Sequence, residues 1–455
     1  MKEAPTHLLY ESAHRGNIIP LTSVCNVSCI FCSHKQNPPD IQIYRIPALN
    51  PGRVEEILQF ISPDEKIVIG ESVTRIIEGE PFTNPYIVEN LTVIRRRFPQ
   101  TPVQITSNGA LIDKKMARFL AELGQIEINL SLNSSAPLYR QKLMNDKNPE
   151  RAVQTAEVLA DAGIPYHGSI VAMPHLTGWD DLGQTINYLA GAGAKTIRVF
   201  LPGFTRLAPE SLQFAPSLWQ DLHSYVASVA ARLQVPVTVE PGLIKDLNAE
   251  VNGVIQGSPA AAAGLAKKDL IIRVDGKECF SRVETFRRVQ SCGPVVLDIV
   301  RNGEEFSLTI DKLPTQSSGL VMEYDIDPDE LKALGRVAGK YQKAWVMASV
   351  LGLPVLQAGL SRIEALDVAK FNYEIITVQN RFFGGSIMSA GLLLVSDFIE
   401  AFRETQLEKP REGSLGSGVE AILIPAAAFD RDGRDLAGNS SLDIQKVTGL
   451  KVEII

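Results

Sequence analysis

The chain has 455 residues, enough for about three domains at roughly 100–200 residues each. Lys plus Arg total 45 against 52 Asp plus Glu, a formal charge of −7 that argues against a general nucleic-acid binder. Hydrophobic residues at 45% and charged residues at 21% argue against long disorder, and five cysteines, an odd and sparse set, exclude a secreted disulfide scaffold.

The N-terminus, MKEAPTHLLYESAHRGN, has no apolar core ahead of a small-residue cleavage site, so it is not read as a signal peptide. The most apolar stretches, such as 344–360, are broken by Gly and Pro and too short to span a bilayer. The expectation is a cytoplasmic protein with neither membrane nor nucleic acid as partner. From about residue 15 to 235, short apolar runs alternate with helix-like runs. Candidate strands cover 17–21, 67–77, 103–107, 127–132, 167–172 and 196–201. Candidate helices cover 54–61, 85–97, 114–123, 150–162 and 180–192. This alternation predicts a parallel α/β domain, and six units suit a partial, open (β/α)6 barrel better than a closed eightfold one.

Near residue 235 the texture changes to short strands, tight turns and one short helix, a β-rich module with hairpin signals at Asp275-Gly276 and Asn302-Gly303. From about 320 a third region follows. It has helical stretches over 328–351 and 363–369, a strand over 373–378, a Gly384-Gly385 turn, a helix near 395–402, a polar loop over 409–418 and a final apolar strand pair. The expected domains are 1–235, 236–318 and 319–455, the first α/β, the second β-rich and the third α+β.

Three of the five cysteines fall within eight residues, in Cys25-Asn-Val-Ser-Cys29-Ile-Phe-Cys32. A tetrahedral zinc site would need a fourth ligand, for which His34 is the nearest candidate. A redox disulfide suits three cysteines less well than cluster ligation, because soft thiolates favour iron and sulfide. Cys279 and Cys292 have no nearby partner and are read as bystanders, so a second cluster is not expected.

The segment CNVSCIFC resembles the signature of radical S-adenosylmethionine (radical SAM) enzymes: CxxxCxxC with an aromatic before the third cysteine. The resemblance implies a partial barrel carrying a [4Fe-4S] cluster on Cys25, Cys29 and Cys32, with one iron open to S-adenosyl-L-methionine and Phe31 beside the adenine. It also implies a 5′-deoxyadenosyl radical that abstracts hydrogen from a peptide, protein or cofactor-precursor substrate, and anaerobic chemistry. A reductant protein such as a ferredoxin or flavodoxin would supply the electron. The family's glycine-glycine-glutamate motif has its counterpart in Glu78-Gly79-Glu80, where Glu78 replaces the first glycine. Gly79 and Glu80 would support the methionine amino group, with Gly70-Glu71 as a rival pair. Ser107-Asn108-Gly109 resembles the segment after the family's third strand. Ser131 and Asn133, two apart and so expected on one face, resemble the fourth-strand residues that meet the cofactor's carboxylate and ribose. His167, His175 and Arg198 are candidate pocket residues, each with a structural role as the alternative. Nothing resembles an N-terminal cobalamin-binding domain.

The run from Gly257-Ser258-Pro259 through Gly264-Leu265, Lys268-Asp269 and Val274-Asp275-Gly276 resembles a bacterial-type PDZ domain, with Lys268 where a glycine is usual. That implies capture of a peptide or protein terminus by strand addition, with packing as the alternative. Asn380-Arg-Phe382-Phe383-Gly384-Gly385, then Ala390-Gly391-Leu392-Leu393, resembles the domain of unknown function 512, which accompanies such modules in iron-sulfur oxidoreductases. Gly384, Gly385 and Gly391 mark either turns or a close backbone approach. The non-enzymatic alternative is an iron-sulfur sensor or assembly factor that docks a partner through the PDZ-like module.

Overall fold

The computed structural model describes residues 2–3, 5–71, 75–291, 293–365, 371–408 and 418–455. Cys292, most of the 409–418 loop and the end of the expected helix over 363–369 lie outside the described residues. The chain forms two compact units, residues 1–36, 42–202 and 210–241 in one and residues 37–41, 203–209 and 242–455 in the other.

The first unit opens with α1 (Thr6–Gly16) and α2 (Pro51–Ile57). Six strands follow: β1 (Ile67–Ile69), β2 (Val103–Ser107), β3 (Ile126–Ser131), β4 (Tyr166–Val171), β5 (Ile197–Phe200) and β6 (Val237–Glu240). Between them run α3 (Ile87–Arg97), α4 (Lys114–Leu123), α5 (Pro137–Met144), α6 (Pro149–Asp161), α7 (Trp179–Gly191) and α8 (Leu218–Ala230). All six strands are parallel and lie in sequential order β1 to β6, with β1 and β6 at opposite edges, so the sheet is open. An unreversed order is the winding of a barrel rather than of a doubly wound sheet. Local chemistry fixes the boundaries. Asp113 caps α4 by accepting from the Met116 amide at 2.8 Å, and Gly124, at φ +70°, ends it.

Alternate strand residues are buried: Val103 and Ile105 on β2, Ile126, Ile128 and Leu130 on β3, Ile197 and Val199 on β5, Val237 and Val239 on β6. They form the core with the helices. The intervening residues, among them Gln104, Thr106, Asn129, Ser131, His167, Ser169, Arg198 and Glu240, line the other face and are only partly buried.

Two of the expected strands are corrected. The segment 17–21 makes a single bridge, Ile18 to Val68, rather than a strand. The strand expected over 67–77 stops at Ile69, because Gly70 turns out of extended geometry at φ +80°. The sheet also continues past residue 235, since β6 pairs with β5 in the register Ile197 to Val237.

In the second unit, β7 (Gly253–Val254), β8 (Leu270–Val274), β9 (Lys277–Glu278), β10 (Val295–Arg301), β11 (Glu304–Ile310) and β12 (Leu320–Val321) form two antiparallel sheets. Their orders are β9-β8-β10-β11 and β12-β7. Both expected hairpin turns are present. Asp275-Gly276 and Asn302-Gly303 have positive φ at both positions, as tight primed turns require. Lys268 takes φ +74°, the left-handed conformation for which a glycine would be the cheaper residue. The module has two helical stretches rather than one: a single turn over Pro259–Ala262 capped by Ser258, and α9 (Arg282–Ser291). It has its own core, centred on Val251, Ile271, Leu297, Ile299 and Ile310.

The same unit holds a parallel sheet of β13 (Ala344–Ser349), β14 (Tyr373–Val378), β15 (Ala421–Ile424) and β16 (Lys451–Ile454), in the order β14-β13-β15-β16. Around it run α10 (Pro328–Ala338), α11 (Leu353–Ala365), α12 (Val395–Glu408) and α13 (Ser441–Thr448). The final strand pair is parallel, joined through α13. Gly384 and Gly385 meet a segment of the chain itself: the Arg206 amide donates to the Phe383 carbonyl at 2.7 Å, and the Ser386 amide to the Phe204 carbonyl at 3.0 Å. A Cβ on Gly385 would strike the Phe204 carbonyl oxygen. Among the described residues no helix is long and apolar enough to cross a membrane.

Candidate functional site

The cysteine loop is irregular, and backbone bonds from two sides, with one lysine side chain, hold it. The Gly79 and Glu80 amides donate to the Thr22 and Val24 carbonyls, both at 2.8 Å. Gly79 is needed for that approach, since a Cβ there would run into the backbone of Ser23 and Val24. On the far side, the Ser28 and Ile30 amides donate to the Met144 and Leu143 carbonyls at 2.8 and 2.9 Å, at the end of α5. The Lys35 ammonium donates to the Ser28 carbonyl at 2.8 Å.

Cys25 is exposed, whereas Cys29 and Cys32 are half-buried, and all three are free thiols. Partial desolvation by the surrounding loop pushes the Cys25 thiol up although the residue keeps an exposed side, and burial pushes the Cys29 thiol up to about 12. The neighbouring thiolates raise them further: Cys32 acts on Cys25, and Cys25 and Cys32 on Cys29. Arg140 and Lys35 pull Cys29 back. Left alone, such thiols stay protonated; soft metal ions that replace their protons remove the penalty. Among the described residues no set of three or more His, Cys, Asp or Glu side chains is arranged around a single ion. A cubane asks instead for one thiolate on each ligated iron, and a three-cysteine loop supplies three of the four, leaving one iron open. His34 is half-buried; burial and nearby Arg45 lower its pKa.

Beside the loop lies a buried carboxyl. Glu80 accepts from the Ser107 hydroxyl at 2.8 Å through Oε1 and from the Asn108 amide at 2.7 Å through Oε2. Burial raises its pKa to about 7, against the opposing pull of these bonds and of Arg140. The Asn108 side chain donates to Asn26 Oδ1 at 2.8 Å, which joins the end of β2 to the cysteine loop. Gly79, Glu80, Ser107 and Asn108 are thus brought together with the loop that carries Cys25, Cys29, Cys32 and the partly buried Phe31.

The rival pair does something else. Glu71 accepts from Gln104 Nε2 at 2.9 Å and Asn129 Nδ2 at 3.2 Å, on the open face of the sheet. Glu78, where the resembling motif has glycine, is half-buried as a residue, but its carboxyl is held well above the usual range by burial, and its Oε1 has no partner among the described residues. Ser131 ends β3 on the open face beside Ser169. Asn133 does not share that face, because the strand has ended. It sits at φ +63° and is buried, with Oδ1 accepting from the Val171 amide at 2.8 Å and Nδ2 3.3 Å from the Met144 sulfur. Its side chain ties β3 to β4. His167 Nδ1 lies 2.7 Å from Thr196 Oγ1, and the His175 ring packs on Phe214 at 5.7 Å. Arg198 forms a bidentate pair with Glu240 at 2.6 and 2.7 Å and stacks over Phe200.

Sequence reasoning missed Arg140. It is fully buried on α5 and donates to Asp146 at 2.8 Å and to the carbonyls of Leu132 at 2.7 Å, Ser131 at 3.3 Å and Asn108 at 2.6 Å. An arginine in a short, otherwise ordinary helix carries no local mark of burial.

Residues 19–189 match the family model described as the Radical SAM superfamily. The GTP 3′,8-cyclase of Limosilactobacillus fermentum is 30% identical over 128 residues, 28% of this chain and 36% of that protein. A probable periplasmic serine endoprotease DegP-like of Chlamydia trachomatis is 32% identical over 130 residues, 26% of this chain and 26% of that protein. The chain therefore spans only about a third or less of the length of these curated relatives. Among solved structures, Streptococcus suis SuiB bound to S-adenosylmethionine aligns with TM-score 0.40 at 18% identity, covering 50% of each chain. Residues 19–189 are thus a Radical SAM superfamily domain.

Proposed function

We propose that this chain is a radical SAM enzyme in which Cys25, Cys29 and Cys32 hold a [4Fe-4S] cluster and Glu80, Ser107 and Asn108 form the adjoining seat for the methionine end of S-adenosyl-L-methionine. The supporting observation is the buried Glu80 carboxyl, caged by Ser107 and Asn108 and joined through Asn108 and Asn26 to the cysteine loop. A buried carboxyl with two donors already in place suits a cationic partner such as the amino group of methionine. Gly79 lets the backbone of this seat approach the loop, Ser131 faces the same open side, and Asn133 braces it rather than facing the ribose. When bound, the cluster and cofactor supply reductive cleavage of the sulfonium to a 5′-deoxyadenosyl radical that takes hydrogen from the substrate.

In this reading the substrate is a peptide, a protein or a cofactor precursor. The β module is the docking element, with β11 at the edge of its sheet as the place for an added strand. A ferredoxin or flavodoxin delivers the electron, in the cytoplasm. The test is anaerobic reconstitution with iron and sulfide, followed by dithionite and S-adenosylmethionine. The expected products are 5′-deoxyadenosine and methionine, absent when Cys25, Cys29 and Cys32 are all alanine. A fully loaded cluster that releases neither product would refute the enzyme and favour the sensor or assembly reading. Zinc without iron or sulfide after anaerobic purification would refute the cluster.

A further inference from the structure

Helix α5 touches both halves of the candidate site. Its last carbonyls, Leu143 and Met144, take the amides on either side of Cys29. One turn earlier, the Arg140 guanidinium takes the carbonyls of Asn108, Ser131 and Leu132, the ends of β2 and β3. Asn108 is also the residue whose amide donates to Glu80 and whose side chain reaches Asn26. Three strand-end carbonyls, the Glu80 seat and the cysteine loop therefore share one fully buried cation. Its counter-ion Asp146, 2.8 Å away, is buried as well.

We propose that Arg140 is a positioning residue that also sets the electron affinity of the cysteine site, its buried charge favouring the reduced state of a cluster held there. The proposal rests on the reading that Cys25, Cys29 and Cys32 ligate such a cluster. The step concerned is the gain of one electron from a low-potential donor, with no proton and no bond made or broken. The site becomes more negative by one charge, and a cation shielded from water and salt stabilises that state. The two functions are separable. The planar fork that orders three carbonyls needs arginine, whereas the electrostatic effect needs only a positive charge.

The experiment uses the full chain, reconstituted anaerobically, with iron and sulfide content measured first and the midpoint potential read by a spectroscopically monitored dithionite titration. Arg140→Met should lower the potential, so that at the wild-type midpoint the ratio of reduced to oxidised cluster falls about tenfold, equivalent to about 59 mV for one electron. Arg140→Lys should recover most of that shift. Asp146→Asn, which leaves the cation uncompensated, should move the potential the other way, and this opposite sign is something a structural role would not produce. A loaded Arg140→Met variant at the wild-type potential would overturn the proposal, as would Asp146→Asn shifting in the same direction as Arg140→Met. If Arg140→Met does not load, Asp146→Asn still decides: a potential at or below the wild-type value would overturn the proposal. A wild-type chain that takes up no iron and sulfide would overturn the cluster reading itself, and this proposal with it.

Discussion

Replacing Glu80 by glutamine isolates the charge of the proposed cofactor seat from its shape. The carboxyl makes two close bonds, to Ser107 Oγ and the Asn108 amide. Glutamine can keep both: its oxygen accepts from Asn108, and its amide nitrogen donates to Ser107, whose hydroxyl can accept as well as donate. Folding and cluster loading should therefore be preserved, since Glu80 supplies no sulfur ligand. The loss is the charge-assisted bond to the methionine amino group, worth about 1.5–3 kcal/mol. At about 1.4 kcal/mol per factor of ten, affinity for S-adenosylmethionine should fall about 10- to 150-fold. Anaerobic titration calorimetry on reconstituted protein of equal iron and sulfide content measures this directly. Glu80→Gln binding within threefold of wild type would refute the assignment of Glu80 to the ammonium.

Gly79→Ala should be far costlier than its size suggests, because the added methyl meets the Ser23 and Val24 backbone rather than a movable side chain. Expected are a loss of cluster loading and a lower melting temperature, while Gly191→Ala, where a Cβ meets nothing within 4 Å, should load normally. Glu78 should make stability fall with rising pH. Its folded pKa lies above the unfolded value of about 4.3, so its contribution is fully present below that value. It is then lost by about 1.4 kcal/mol per pH unit until the folded carboxyl ionises. Denaturant midpoints of wild type and Glu78→Gln should diverge as the pH rises above about 5, and parallel curves would contradict this. Glu71→Ala strands the amides of Gln104 and Asn129, which should cost about 1–2 kcal/mol in urea unfolding without changing iron content.

Much of the site was legible because its chemistry depends on residue type and spacing: three soft ligands in one loop, a glycine-glutamate pair, and a serine and asparagine after an apolar run. The hairpin turns were legible for the same reason, since Asp275-Gly276 and Asn302-Gly303 specify their own backbone. What could not be read locally was tertiary. The 17–21 segment has strand-like residues but finds only one bridge, to the short β1. Val237–Glu240 is four residues flanked by Pro236 and Pro241, beyond the change of texture near 235, and becomes a strand only where β5 supplies a partner. Asn133 follows period-two arithmetic only while the strand lasts, and its left-handed backbone turns it to the Val171 amide. Arg140 and Asp146 are charges whose burial becomes evident only once two strand ends need a shared donor.

The open face of the parallel sheet connects fold and site. Parallel strands covered on both faces are apolar at nearly every position. Here VQITS, IEINLS, IRVF and VTVE alternate, which is the pattern of a sheet with helices on one side only. The polar residues this exposes are paired among themselves. Glu71 takes Gln104 and Asn129, Lys66 pairs with Glu127, and Arg198 with Glu240. Pairing is what makes such a face tolerable, because a stranded polar group costs more than its bond returns. Because every strand runs the same way, their carboxyl ends meet along one edge, and Ser107, Asn108 and Ser131 sit on that edge with Glu80 alongside. The alternation that leaves one face uncovered and the parallel order that gathers the strand ends thus place a polar, partly open wall next to the three cysteines.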